Sequence, residues 1–192
     1  MAPLLCAGLT TYSPLVRAGM GPGKKVAVCG IGGLGHLALQ WSAALGAETY
    51  AITHSPKKAD DAKKLGAVEV ISTDDENWAD RWAFAFDFIL NTSDMTSGFD
   101  MKTYMSTLKV GGQFHMVGLP DKPLPEMNAF QFAGNAAKLT GSHIGNRQEM
   151  EAMLKLAAEK DIRPGSTRYR FPKRAARRPW SASTTTGMFA IA

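Results

Sequence analysis

Three glycines, Gly30, Gly32 and Gly35, follow the apolar run Val26-Ala27-Val28-Cys29 at the spacing of a turn that wraps a dinucleotide pyrophosphate. In such a turn Gly30 permits the tight bend, Gly32 lets backbone approach the anion, and Gly35 lets a helix pack closely on a strand. The helix that starts there offers unpaired N–H groups to the same anion. A glycine-rich loop without any ligand would contain the same residues, so the weight falls on what surrounds them. About 20 residues on, where a fold selective for NAD carries an acid for the ribose hydroxyls, the sequence reads Thr53-His54-Ser55-Pro56-Lys57-Lys58. An acid there would repel a 2′-phosphate. Lys57 and Lys58 attract one, and Thr53 and Ser55 can donate hydrogen bonds to it. The chemistry implied is the binding of NADP(H), and the plain alternative is a solvated helix start that happens to carry two lysines.

A strand, a turn and a helix must position these residues, and the chain repeats that pattern. Six short apolar runs recur at about 25–29, 48–52, 68–71, 86–90, 113–117 and 137–141, with helical or turn-like segments between them. The first helix sets Leu34, Leu37, Ala38, Trp41 and Leu45 on one face and closes at Gly46. The second has Ser55 as N-cap, Pro56 at its first position and Gly66 at its end. The last pairs Asn146 as cap with Glu149, followed by a buried stripe of Met150, Met153, Leu154 and Ala157. Strands alternating with helices predict an α/β fold, a doubly wound six-stranded parallel sheet of Rossmann type covered on both faces. Before the first strand, Leu4, Tyr12 and Leu15 offer packing residues and Gly19 to Gly23 a loop.

With 192 residues, 45% of them hydrophobic and 20% charged, the chain suits one globular domain with its own core. The net charge of +5 misleads, because seven Lys and Arg lie beyond Ile162 with no acid among them, leaving 15 basic against 17 acidic residues before that point. Residues 26–47 carry no formal charge over 22 positions, long enough to span a bilayer. Four glycines within six residues, with His36, Gln40 and Ser42, divide that stretch instead into strand, turn and helix. Met1 to Leu9 is too short for a secretory signal and lacks its basic start. Two cysteines without repeated spacing give no disulfide framework, so a cytoplasmic location is expected.

The stretch Ala2-Pro3-Leu4-Leu5-Cys6-Ala7-Gly8-Leu9-Thr10-Thr11-Tyr12-Ser13-Pro14-Leu15, with Gly30-Ile31-Gly32-Gly33-Leu34-Gly35-His36, resembles the zinc-dependent medium-chain alcohol dehydrogenases, in particular their NADP-dependent cinnamyl alcohol dehydrogenase-like branch. Lys64-Leu65-Gly66-Ala67, Phe86-Asp87-Phe88-Ile89-Leu90-Asn91-Thr92, Val117-Gly118-Leu119-Pro120 and Gly141-Ser142-His143-Ile144-Gly145 extend the likeness from residue 2 to about residue 164. The resemblance implies hydride transfer between a primary alcohol or aldehyde and NADP(H), with zinc polarising the substrate oxygen. It implies Thr10 near the nicotinamide, Gly30, Gly32, Gly33, Leu34 and Gly35 at the pyrophosphate, and Thr53, His54, Ser55 and Lys58 around the 2′-phosphate. Thr92, Val117, Gly118, Leu119, Ser142 and Ile144 would line the cofactor cleft, and Cys6 would match a catalytic zinc ligand. Dimers of the family join coenzyme domains along an edge strand, here residues 137–141, which leaves room for a homodimer.

The sequence also departs from the family. Its catalytic domain precedes this region and carries the other zinc ligands, and a catalytic zinc needs about three protein ligands. Residues 1–23 hold no His, Asp or Glu to join Cys6, and His36, His54, His115 and His143 show no ligand spacing. Zinc is thus expected to be missing, with Cys6 a lone remnant and Cys29 a buried strand residue. Residues 1–23 read as a segment left from the junction with the catalytic domain, 24–164 as the NADP-binding domain and 165–192 as an irregular basic tail. Composition predicts disorder after about Pro172. Where the family continues with a helix and a strand, Arg170-Phe171-Pro172 runs into Lys173-Arg174-Ala175-Ala176-Arg177-Arg178, as in a truncated or mis-spliced form. A catalytically inert NADP(H)-binding module is the main competing reading. Nucleic-acid binding through the tail would show steep salt dependence, but a solvated tail accounts for the same residues. A methyltransferase would want an acid after the second strand, and a zinc-free quinone reductase fits Cys6-Ala7-Gly8 less well.

Overall fold

A computed structural model of the chain describes residues 2–54, 56–93, 95, 99–119, 123–124 and 126–165. Its strands are β1 (Lys25–Cys29), β2 (Glu48–Thr53), β3 (Glu69–Ser72), β4 (Phe86–Asn91), β5 (Leu108–Met116) and β6 (Lys138–Gly141). They form one parallel sheet in the order β3-β2-β1-β4-β5-β6, the doubly wound arrangement that the alternating pattern predicts. The helices are α1 (Leu9–Arg17, entered through a π turn at Leu4–Gly8), α2 (Gly35–Ala44), α3 (Ala59–Lys64), α4 (Trp78–Arg81), α5 (Met101–Ser106), α6 (Phe130–Ala133) and α7 (Arg147–Glu159). Among the described residues no helix is long and apolar enough to cross a membrane. Ser55 and the basic stretch beyond Gly165, with the disorder expected there, lie outside the described residues.

A parallel sheet must bury both faces, and successive side chains of β1 divide accordingly. Val26 and Val28 enter a core with Leu15, Leu37, Trp41, Phe88 and Met153. Ala27 and Cys29 enter the opposite core with Ile52, Trp78, Phe86, Met105 and Phe114. Burial reaches further round α2 than a single stripe, for Leu39 is sealed as fully as Leu37 and Trp41. On this face α1 packs against α2 and brings the Tyr12 ring edge-on to Trp41 at 5.6 Å. Residues 4–17 are therefore helical, with Leu4, Leu9, Tyr12 and Leu15 in the core.

Local signals set several boundaries as the sequence predicts. Gly46 and Gly66 take φ of +87° and +105° where α2 and α3 end. At α7 the Asn146 side chain accepts the Glu149 N–H at 2.9 Å and Glu149 Oε2 accepts the Asn146 N–H at 2.8 Å. Two boundaries differ. The second helix does not start at Pro56: Pro56–Lys58 is a 3₁₀ turn, and α3 begins at Ala59 with Lys58 as its cap. Lys58 gives no capping bond, because an ammonium cannot accept an N–H; it instead donates back to the glycine turn. β5 begins at Leu108, five residues before the apolar run, and Gly111 at φ +76° lies where the pairing with β4 slips register. The Gly111-Gly112 pair is a bulge within the strand rather than its boundary.

Glu149 also accepts from Arg17 Nε and Nη2, at 2.5 and 2.7 Å, and so ties α1 to α7. The Arg17 hydrogen bond outweighs partial burial and holds the carboxyl below its ordinary 4.5. A lowered folded value means that the contribution is complete above pH 4.5 and is lost as pH falls through the folded value. Glu149→Ala is expected to cost about 1–2 kcal/mol in urea unfolding at pH 7, mostly as a lost capping box. The gap between variant and unmutated chain should narrow at about pH 3, roughly one unit below the usual carboxylate range.

Candidate nucleotide cleft at the glycine turn

β1 lies near the centre of the sheet, with β2 on one side and β4 on the other. The connections reverse direction here, so the C-terminal strand ends diverge and open a crevice. A cleft of about 900 Å³ occupies it. Cys29, Gly30, Ile31 and Gly32 line it from β1 and the turn, Ile52, Thr53 and His54 from β2 and its end, and Thr92 and Ser93 from beyond β4.

Packing separates the glycines by what each must avoid. Gly30 has φ +84°, and a Cβ there would sit 2.9 Å from Ser93 Cβ. At Gly35 a Cβ would lie 1.9 Å from the Gly30 carbonyl oxygen and 3.0 Å from Thr92 Oγ1. Thr92 Oγ1 in turn donates toward the carbonyls of Cys29 and Gly30, both at 2.9 Å. The first turn of α2 thus rests directly on the end of β1. Gly32 is different: a Cβ would meet nothing within 4 Å. Among the described residues nothing requires glycine there, and the open space is where an anion could approach the backbone.

Lys58 Nζ donates to the Ile31 carbonyl at 2.9 Å, which places a cation on the cleft wall beside the turn. Thr53 and His54 share that wall. Of the residues drawn from the family resemblance, Gly30, Gly32, Thr53, His54, Lys58 and Thr92 line the cleft, while Gly33, Leu34 and Gly35 form the turn and helix start behind it. Others stand to one side. Val117 is buried at the end of β5, Gly118 abuts Ser93 and Leu119 is exposed. Ser142 Oγ is engaged with His115 Nε2 at 2.8 Å, and Thr10 is buried in α1. Ile144 packs against the core at φ +59°, a costly backbone for a β-branched residue.

The far wall contains residues that motif reading misses. Thr73, Glu76 and Trp78 come from the segment after β3, and Phe99, Asp100, Thr103 and Tyr104 from the start of α5. Phe99 stacks on Tyr104 with centroids 4.3 Å apart, and Trp78 meets Tyr104 edge-on at 5.0 Å. The wall offers flat apolar surface near the cation. The Asp100 carboxylate is engaged at the N-terminus of α5, accepting from the N–H groups of Lys102 and Thr103. The signal for these residues was topological: in a doubly wound sheet the loops after neighbouring strands must face the crevice.

The zinc-binding dehydrogenase family model matches residues 33–159. The chain belongs to this family. It is a dinucleotide-binding domain of the zinc-type medium-chain alcohol-dehydrogenase kind. Relatives include NADP-dependent alcohol dehydrogenase C 1 of Mycolicibacterium smegmatis, 45% identical across 85% of this chain and 46% of the relative. NADP-dependent alcohol dehydrogenase 6 of Saccharomyces cerevisiae is 41% identical across 84% and 45%. Among solved structures, a cinnamyl alcohol dehydrogenase (SbCAD4) of Sorghum bicolor superposes with a TM-score of 0.77 at 36% identity, over 84% of this chain and 45% of that one. A Helicobacter pylori CAD complexed with NADP(H) gives 0.74 at 35% identity, over 85% and 46%. The chain spans about half the length of the curated relatives it matches.

The zinc centre named by the family needs several ligands together. Among the described residues no three His, Cys, Asp or Glu side chains are grouped to hold a metal, and Cys6 stands exposed on the π turn. These residues do not fit a zinc centre, and no step is routed through one. Cys29 is sealed in the core, where burial raises its thiol pKa and keeps it protonated.

The glycine geometry predicts opposite outcomes for two similar substitutions. Gly35→Ala forces α2 away from β1 and should cost about 1–3 kcal/mol in thermal or urea unfolding. Gly32→Ala should leave stability within about 0.5 kcal/mol and instead weaken nucleotide binding.

Proposed function

We propose that this chain is the NADP(H)-binding domain of a zinc-dependent alcohol dehydrogenase of the cinnamyl alcohol dehydrogenase-like branch. In this reading residues 24–164 form the cofactor domain, and residues 1–23 lead in from the junction with a catalytic domain. The observation that carries it is the position of Lys58: an ammonium on the cleft wall, bonded to the glycine turn, beside a β2 that ends without an acid. A 2′-phosphate fits that charge, whereas ribose hydroxyls alone would favour a carboxylate. The relatives named as NADP-dependent, and the solved relative complexed with NADP(H), support the same choice.

The residues divide the work by position. The turn from Gly30 to Gly35 takes the pyrophosphate, with Gly32 giving room for close approach. Thr53, His54, Ser55 and Lys58 take the 2′-phosphate. Thr10 lies near the nicotinamide, and Thr92, Val117, Gly118, Leu119, Ser142 and Ile144 line the cofactor cleft. The bound cofactor supplies hydride exchange with a primary alcohol or aldehyde, while zinc chemistry belongs to the family's catalytic domain and Cys6 is a lone remnant of its ligand set. The reading places the protein in the cytoplasm. β6 stands at the edge of the sheet, where a second copy could extend it.

Titration of the full chain with NADPH and NADH tests the cofactor choice. NADPH should bind more tightly, and Lys58→Glu should abolish or reverse the preference, weakening NADPH by about 10-fold to 100-fold. Equal affinities in the unmutated chain would overturn the assignment.

A further inference from the structure

His36, the second residue of α2, is bonded on both sides of its ring. Nδ1 lies 3.1 Å from the Gly32 carbonyl oxygen, and Nε2 accepts the Gly165 N–H at 2.9 Å. A ring nitrogen that accepts an N–H carries no proton. The imidazole is therefore neutral with its proton on Nδ1, which donates to Gly32. The same carbonyl also accepts the His36 main-chain N–H at 3.1 Å.

Two donors on one carbonyl fix the plane of the Gly32–Gly33 peptide. A trans peptide points its N–H opposite to its C=O. With the Gly32 carbonyl turned along α2, the Gly33 N–H faces out of the helix start, on the side where the pyrophosphate is placed. One turn further on, Gln40 Nε2 donates to the carbonyls of His36 at 3.1 Å and Arg163 at 3.2 Å. His36 and Gln40 together fasten residues 163–165 across the first turns of α2. Arg163 itself is occupied by Asp161 at 2.8 Å.

We propose that His36 is a positioning residue for the cofactor site, a buckle that orients the glycine turn with one nitrogen and straps residues 163–165 onto it with the other. The proposal rests on the reading that the turn binds a dinucleotide. Its consequence is reciprocal coupling: a ligand that fixes the Gly32–Gly33 peptide favours the strapped segment, and the strapped segment favours the ligand.

Two substitutions in the full chain separate the two sides of the ring. A Gln amide reaches the Nε2 position and can still accept from Gly165, but it leaves Gly32. An Asn amide reaches only the Nδ1 position, so it keeps Gly32 and loses Gly165. His36→Gln is expected to weaken NADPH binding by about 5-fold to 10-fold, and His36→Asn by about twofold or less. Hydrogen exchange at the Gly165 amide should slow when NADPH is added to the unmutated chain and stay fast in His36→Asn. Nitrogen-15 NMR of the unmutated chain should show His36 neutral with the proton on Nδ1. Unchanged NADPH affinity in His36→Gln, or a proton resident on Nε2, overturns the proposal while leaving the cofactor reading intact. Failure of the unmutated chain to bind either nucleotide overturns both.

Discussion

The contact between the first turn of α2 and the last carbonyls of β1 sets the arrangement of the site. It is backbone against backbone, with Thr92 reaching in from β4 to bond the same carbonyls. No side chain lies between the two elements to adjust by changing rotamer, so the spacing is fixed once Gly35 is in place. Three elements meet at that point, and their meeting decides where the neighbouring strand ends emerge. β2 then delivers Thr53, His54 and Lys58 on one side, and β4 delivers Thr92 and Ser93 on the other. Tyr12 and Leu15 of α1 join Leu37 and Trp41 of α2 in one core with Val26, Val28 and Phe88 of the sheet.

What the sequence discloses is what local geometry dictates. The turn glycines, the left-handed ends at Gly46 and Gly66, and the Asn146–Glu149 box each depend on residues a few positions apart. Strand alternation with helices was enough to place six strands in a parallel sheet. The early start of β5 was hidden because Gly111 and Gly112 look like a break, and only pairing with β4 turns them into a bulge. The aromatic wall was hidden for another reason. Trp78, Phe99 and Tyr104 become neighbours only after strand order brings two distant loops together. The link between His36 and Gly165 spans 129 positions and has no local signature. Cys6 is the reverse case: the resemblance marks it, while the described structure gathers no partners around it.

Charged groups shape particular places rather than the whole. Most ion pairs join exposed side chains, such as Arg147 with Glu151 and Lys155 with Glu159, and contribute little in water. Asp87 is more deliberate. Burial disfavours its charge, yet Lys109, the Lys25 N–H and Lys24 outweigh that and hold its carboxyl below the usual range. This cluster sits where β1 and β5 begin, at the end of the sheet away from the cleft. His115 shows the opposite balance: burial lowers it to about 4, leaving a neutral ring between Thr140 and Ser142 that bridges β5 to β6 and the residues after it. The two arrangements secure opposite ends of β5.

Trp78 closes one side of the cleft through its contact with Tyr104, whereas Trp41 is sealed beneath α1. They are two of the chain's four indoles. Indole emission overlaps the absorption band of a reduced nicotinamide, so energy transfer to a bound reduced cofactor should dim the chain's tryptophans together, Trp78 on the cleft wall among them. The domain thus carries its own optical gauge of cofactor occupancy, without an added label.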